Sequence, residues 1–165
     1  MPTPIEQSVW DALITRLKTI TTGNGYNLNI STNVDENRDD YDDVIASELP
    51  RLNVVDQGTV WDPERSQLPR GECHRLTVRV EGFVATGALD TVGDATRSLA
   101  ADVRKCLMSG QSWTGATNWG NGKVENVSIP KVERAVARAS KITGGVALTV
   151  EIDYLTSNLD PYTAG

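Results

Sequence analysis

The segment Val146–Tyr154 alternates without a break: Val146, Leu148, Val150, Ile152 and Tyr154 fall on one side, and Thr149, Glu151 and Asp153 on the other. A period of two over nine residues is the pattern of a strand in a sheet with one packed face and one wet face. A second periodicity opens the chain. Ile5, Val9, Leu13, Leu17 and Ile20 recur at three- to four-residue steps, flanked by Ala12 and Ile14, and draw one apolar stripe along a helix running to about Ile20. Thr3-Pro4-Ile5-Glu6 reads as its start, with Thr3 as cap, Pro4 at the first helical position and Glu6 closing a reciprocal capping box. A helical stripe and a one-faced strand together predict an α+β domain.

At 165 residues the chain has the size of one domain with one core. Apolar residues make up 39% with a single Phe, so the core is expected to be aliphatic. The net charge of −6 argues against general binding to phosphate backbones, which needs clustered Lys and Arg. No apolar run approaches a membrane span, and Met1-Pro2-Thr3-Pro4 lacks the basic and apolar stretches of a signal peptide, so a cytosolic chain is expected. Two cysteines, Cys73 and Cys106, fit reduced thiols and match no zinc spacing.

Thr21-Thr22-Gly23-Asn24-Gly25 stops the first helix, and a strand is expected at Tyr26–Ile30. Residues 33–48 then form an acidic loop, with Asp35, Glu36, Asp39, Asp40, Asp42, Asp43 and Glu48 set against Arg38. No register of this loop supplies the ligand spacing of a calcium loop, so it reads as a solvated or partner-facing segment without metal. Leu49–Val55 reads as a short strand, followed by a long polar loop over 57–71 that carries Trp61, Pro63 and Pro69.

Cys73–Val84 alternates again, with Leu76, Val78, Val80 and Val84 on one face and Arg75, Thr77, Arg79 and Glu81 on the other. Gly82 suggests a bulge or bend, and outward Arg79 is placed to pair with Glu151 or Asp153. A second helix is expected from Asp90, its cap, to Met108, burying Val92, Ala95, Leu99, Val103 and Cys106 or Leu107. Residues 110–122 form a second long loop with Trp113 and Trp119. Val124, Val127 and Ile129 suggest a strand ended by Pro130, and Lys131–Lys141 an irregular basic arm carrying Lys131, Arg134, Arg138 and Lys141. With most connections too short for right-handed crossovers, a mainly antiparallel sheet with two amphipathic helices on one face is expected. Residues 155–165 complete the domain as a C-terminal tail.

No residue pattern names a reaction. The only histidine, His74, adjoins Cys73 on a strand, where neighbours point to opposite faces and cannot form a nucleophile–base pair. Phosphate loops, nucleophile elbows, dinucleotide fingerprints and zinc-protease helices are missing from the sequence. Hence no catalytic residue, cofactor or metal is assigned. Trp61, Trp113 and Trp119 lie in expected loops, either packed beneath them or serving as anchors of a protein interface.

The succession Leu13–Asn27, then Glu48-Leu49-Pro50-Arg51-Leu52-Asn53-Val54, then Arg79-Val80-Glu81-Gly82-Phe83-Val84, resembles bacteriophage tail terminator or tail completion proteins. Leu99–Leu107 and Val150–Thr156 with Asp160-Pro161 follow in the same order. The resemblance spans nearly the whole chain, although the stretches 61–71 and 113–122 depart from the family pattern. It implies a virion subunit that performs no reaction and forms a hexameric ring on the end of the tail tube. That ring stops tube growth and joins the tube to the neck, or head–tail connector, while DNA passes through its lumen. A neck or stopper subunit is a variant of this expectation. A ring needs two different complementary patches per subunit. The acidic loop (Asp35, Glu36, Arg38, Asp39, Asp40, Asp42, Asp43), the tryptophans (Trp61, Trp113, Trp119) and the basic arm (Lys131, Arg134, Arg138, Lys141) are the candidate contacts. Six copies of a chain at −6 carry about −36, which predicts an acidic lumen that repels DNA. Two other classes remain: a monomeric ligand-binding module with the Trp61 and Trp113 loops as lid, and a hydrolase using Cys73 or Cys106.

Overall fold

A computed structural model describes residues 3–39, 48–67, 71–85, 91–109, 123–137, 143–157 and 160–162. Two helices, α1 (Ile5–Leu17) and α2 (Val92–Met108), accompany five strands: β1 (Val34–Glu36), β2 (Arg51–Gln67), β3 (Gly71–Ala85), β4 (Val124–Ala137) and β5 (Thr143–Thr156). The strands make one sheet in the order β1-β2-β3-β5-β4. Only β1 and β2 run parallel; the other pairs are antiparallel. This is the expected α+β class with a mainly antiparallel sheet.

Both helices cover the same face. Leu76, Val78, Val80 and Val84 of β3 and Val146, Leu148, Val150, Ile152 and Tyr154 of β5 are buried there, in one cluster with Val9, Leu13 and Leu17 of α1 and Leu99, Val103 and Leu107 of α2. Gly82 lets α2 approach the sheet: a Cβ there would lie 2.6 Å from Leu99 Cδ2. The ladder runs through Gly82 in register with Leu52 and Val146, so the glycine marks close packing instead of the expected bulge.

The helix ends differ from expectation. Pro4, not Thr3, is the N-cap of α1; it has neither a capping side chain nor an N–H, so the expected capping box does not form, and Glu6 accepts the Tyr154 hydroxyl at 2.7 Å. Thr91 caps α2, accepting the Asp94 amide at 3.2 Å; Asp90 lies outside the described residues. Helix α1 stops at Leu17, yet Ile20 stays fully buried. Thr96, Ala100 and Asp102 join the buried side of α2.

Tyr26–Ile30 is not a strand. The Asp102 carboxylate accepts the Asn27 and Leu28 amides at 2.9 Å each, and the Ile20 carbonyl accepts the Ile30 amide at 2.8 Å. With those donors spent, the segment has no ladder to offer. The first of the three strands expected before the second helix is supplied instead by β1, inside the acidic segment.

Two expected loops are strands. Residues 57–67 continue β2, and 131–137 continue β4. Both carry proline where the ladder is already broken: Pro63 lies in the register shift between Asp62 and Gln67, and Pro130 in that between Ser128 and Lys131. Arg79 faces Thr149 in register and pairs with Glu81 (2.9 Å) and Glu133 (3.3 Å). The expected partners, Asp153 and Glu151, go to Arg75, at 2.8 and 3.7 Å.

Candidate functional site

The face of the sheet turned away from α1 and α2 is, among the described residues, a mosaic of charges with one deep spot. Asp153, on the side of β5 expected to be wet, is 2% exposed. Arg75 Nε donates to it at 2.8 Å, Asn126 Nδ2 at 3.3 Å, and the Arg65 guanidinium also donates. Burial raises the Asp153 pKa, but the bonds from Arg75, Arg65 and Asn126 outweigh it and hold the carboxyl below its ordinary value. Arg65 falls in the stretch read as a loop, so its reach to Asp153 was hidden in sequence.

Further along the same face, Phe83, Gly145 and Ala147 line a groove of about 350 Å³, together with Arg79, Glu81, Glu133 and Arg134. Glu133 is paired with Arg79 at 3.3 Å and Lys131 at 3.0 Å. Among the described residues Arg134 makes no ion pair.

At the opposite end of β2, Trp61 is 55% exposed and Val60 66%. The indole Nε1 donates to Ser66 Oγ at 3.0 Å, and Ser66 Oγ accepts the Cys73 amide at 2.9 Å, so the ring is held in place while standing in solvent. Trp61 pairs in register with His74. His74 stacks on Tyr154 at 5.4 Å between centroids, and with Glu6, Gln7, Pro4, Thr156 and Pro161 borders a cleft of about 330 Å³. In that cleft His74 Nε2 lies 3.2 Å from Thr156 Oγ1 and 3.6 Å from Glu72. Burial and the bond to Glu6 push the Tyr154 pKa well above its ordinary value, so the phenol stays protonated.

The acidic candidates that are described are met from within. Asp35 is clasped by Arg51, with Nη2 to Oδ1 at 2.7 Å, and by Arg38 at 3.5 Å. The Arg51 bond outweighs burial and lowers the Asp35 pKa. Glu36 accepts the Trp10 indole at 2.7 Å. The backbone of Arg38 is pinned by Asn53, which accepts its amide at 3.1 Å and donates to its carbonyl at 3.0 Å. Asp39 is exposed. Asp40, Asp42, Asp43, Trp113, Trp119, Arg138 and Lys141 lie outside the described residues. Thus the structure puts Arg134 among the residues bordering the groove and pairs Lys131 with Glu133 beside it, sets Trp61 at the other end of the sheet, and binds Asp35 and Glu36 into the fold.

The two thiols sit apart. Cys106 donates to the Arg16 carbonyl at 3.1 Å under α1, and Cys73 is buried near Arg65 and Asp153. Burial raises both pKa values, which disfavours a thiolate at either position. Among the described residues no cluster of His, Cys, Asp and Glu is arranged around a metal, and no helix is long and apolar enough to cross a membrane. No protein-family model matches the chain, and none of the curated proteins does. Phe83, Gly145 and Ala147 were missed in sequence; the small pair opposite an outward aromatic on neighbouring strands was the available signal.

Proposed function

We propose that the chain is a structural subunit of a bacteriophage tail, forming a hexameric ring that caps the tail tube, stops its growth and presents a joining surface to the neck. The ordered run of motifs resembling tail terminator proteins supports this reading. The observation that carries it is the distribution of surface features on a well-packed wedge. An exposed Trp61 stands at one end of the sheet and a groove floored by Phe83, Gly145 and Ala147 and edged by paired Arg79, Glu81 and Glu133 lies at the other, two unlike patches of the kind a head-to-tail ring requires. The polar groups of the His74 cleft are occupied with one another, and both thiols are disfavoured as nucleophiles, so the described residues offer structural surfaces more readily than chemistry. DNA then passes a ring of acidic chains without being held.

The test is tube growth. Added to polymerising tail tube protein, the chain is expected to halt elongation and leave a ring on one tube end. Tubes that lengthen unchanged, with bare ends, contradict the proposal. Attachment to neck complexes with no effect on tubes would move the subunit to the stopper position.

A further inference from the structure

We infer that successive copies meet through opposite charges: the basic end built from the C-termini of α1 and α2, with Lys18 and Arg104, docks on the acidic cleft of Glu6, Glu36 and Asp56 in the next copy. The inference rests on the ring reading and adds the charged part of the subunit contact.

The basic end forms where two acid-free stretches meet. Residues 12–33 and 103–109 contain no aspartate or glutamate, and they carry Arg16, Lys18, Arg104 and Lys105; the next acidic residue after Asp102 is Glu125. Contact between the helix ends brings the stretches together, with Cys106 Sγ donating to the Arg16 carbonyl at 3.1 Å and Arg16 donating to the Ser109 carbonyl at 3.1 Å. Two of the cations are engaged within the fold: Arg16 on the α2 carbonyls, and Lys105 on the Gly25 carbonyl at 2.6 Å. Helix dipoles draw cations to such ends, and these two answer that demand. Lys18 and Arg104 are exposed and make no ion pair among the described residues.

The cleft, of about 270 Å³, is walled by Glu6 and Trp10 of α1, Glu36 of β1 and Asp56 of β2, and no basic residue lines it. Each carboxylate takes a neutral donor: the Tyr154 hydroxyl on Glu6, the Trp10 indole on Glu36 and the Gly58 amide on Asp56. Among the described residues none of the three has an ion pair, so their charges stay uncompensated. They are not arranged to hold a metal ion, and the cation that fits is a broad one, an ammonium or a guanidinium beside the Trp10 wall.

Within one copy the two surfaces do not meet. Glu6 and Lys18 stand about 18 Å apart along the axis of α1, at 1.5 Å per residue, and no ion pair joins the cleft to the basic end among the described residues. Joining them takes a second copy, placed head to tail, which is the unlike pairing a closed ring needs. All five charged side chains are exposed, so the contact asks nothing of the core. Duplex DNA is a poorer occupant of the basic end: two unpaired cations neutralise few phosphates, and the chain's net charge of −6 opposes the approach.

The test neutralises each surface while sparing the fold. The cleft pair, Glu36→Gln with Asp56→Asn, keeps an oxygen for the Trp10 indole and the Gly58 amide. The basic pair is Lys18→Gln with Arg104→Gln. Masses are measured by sedimentation, free and on tail tubes, for the wild type, each pair and all four changes together, with thermal unfolding confirming that each is folded. The wild type is expected to form rings that loosen as salt rises from about 0.05 to about 0.5 M. Each pair is expected to weaken assembly about 10-fold at low salt, and the four changes little further, because they remove one and the same contact. The cleft pair discriminates best: it takes two negative charges off a chain at −6, which lessens self-repulsion and would tighten assembly if no contact were there. A cleft pair that assembles as well as the wild type, or better, overturns the inference and leaves the ring reading standing. Losses that simply add when the pairs are combined also overturn it. So does a basic pair that assembles normally but is no longer retained by duplex DNA. A wild type that stays monomeric at every concentration and on tail tubes overturns both. If the cleft pair does not fold, Asp56→Asn alone replaces it and is read in the same way.

Discussion

Asp102 and Asp153 are both almost fully buried, at 1% and 2% exposure, yet they hold two regions together by different means. On the helix side, Asp102 accepts two backbone amides and the Asn27 side chain, all at 2.9 Å, and so anchors the 26–30 segment to α2. On the open face, Asp153 is met by two arginines whose stems reach solvent. An arginine that loses its partner can turn to water, whereas the Asp102 carboxylate holds three donors of one segment at once, and losing it releases all three. The helix side is therefore expected to be the intolerant half, and the open face the half free to evolve contacts.

The sharpest way to break that comparison is Leu99→Ala, which empties a fully buried position beneath Gly82. A loss of about 3–4 kcal/mol in denaturant unfolding is expected. Gly82→Ala, destabilising in the wild type, should cost less in that background because the nearest colliding side chain has gone and only Leu52, at 3.1 Å, must give way. Asp102→Ala comes next, at about 3 kcal/mol, since one change removes three hydrogen bonds to a charged acceptor that fix the 26–30 segment on α2. Amide exchange at Asn27 and Leu28 should accelerate at the same time.

Asp153→Ala should cost less, about 1–2 kcal/mol. Its pH signature separates it from a packing defect. A carboxyl whose pKa is depressed by folding contributes stability above its unfolded value, near 4, and loses it as pH falls through the lower folded value. Wild-type stability should therefore fall below about pH 4, and the variant should show a shallower fall, with Asp35 accounting for part of what remains. If Asp153→Ala proves costlier than Asp102→Ala, the comparison is reversed. Smallest is Arg16→Met, about 1 kcal/mol: Arg16 donates to the Cys106 carbonyl at 2.9 Å and the Ser109 carbonyl at 3.1 Å, tying the end of α1 to that of α2. A lower melting temperature with unchanged assembly is expected.

The same contrast explains what could be read from residues alone. β3 and β5 are central strands with one face under helices, so their alternation is strong, and the stripes of α1 and α2 follow from the layer they cover. The outer half of β2 is largely exposed and broken at Pro63, and β4 is an edge strand broken at Pro130, so neither carries a clear period and both read as loops. Tyr26–Ile30 failed in the opposite sense, because an aspartate 75 residues away from Asn27 takes the amides a strand would use. The candidate surface was half legible: Trp61, Lys131 and Arg134 stood out as exposed chemistry, whereas Phe83, Gly145 and Ala147 become a groove only once β3, β5 and β4 lie side by side.

The central claim is that six wedges close on the end of a tube. Averaged electron micrographs looking down tubes capped by this chain test it most directly. The account predicts a six-fold ring of added density, with a mass about six times the 17.9 kDa of one chain. Bare tube ends beside a protein that remains monomeric would contradict it.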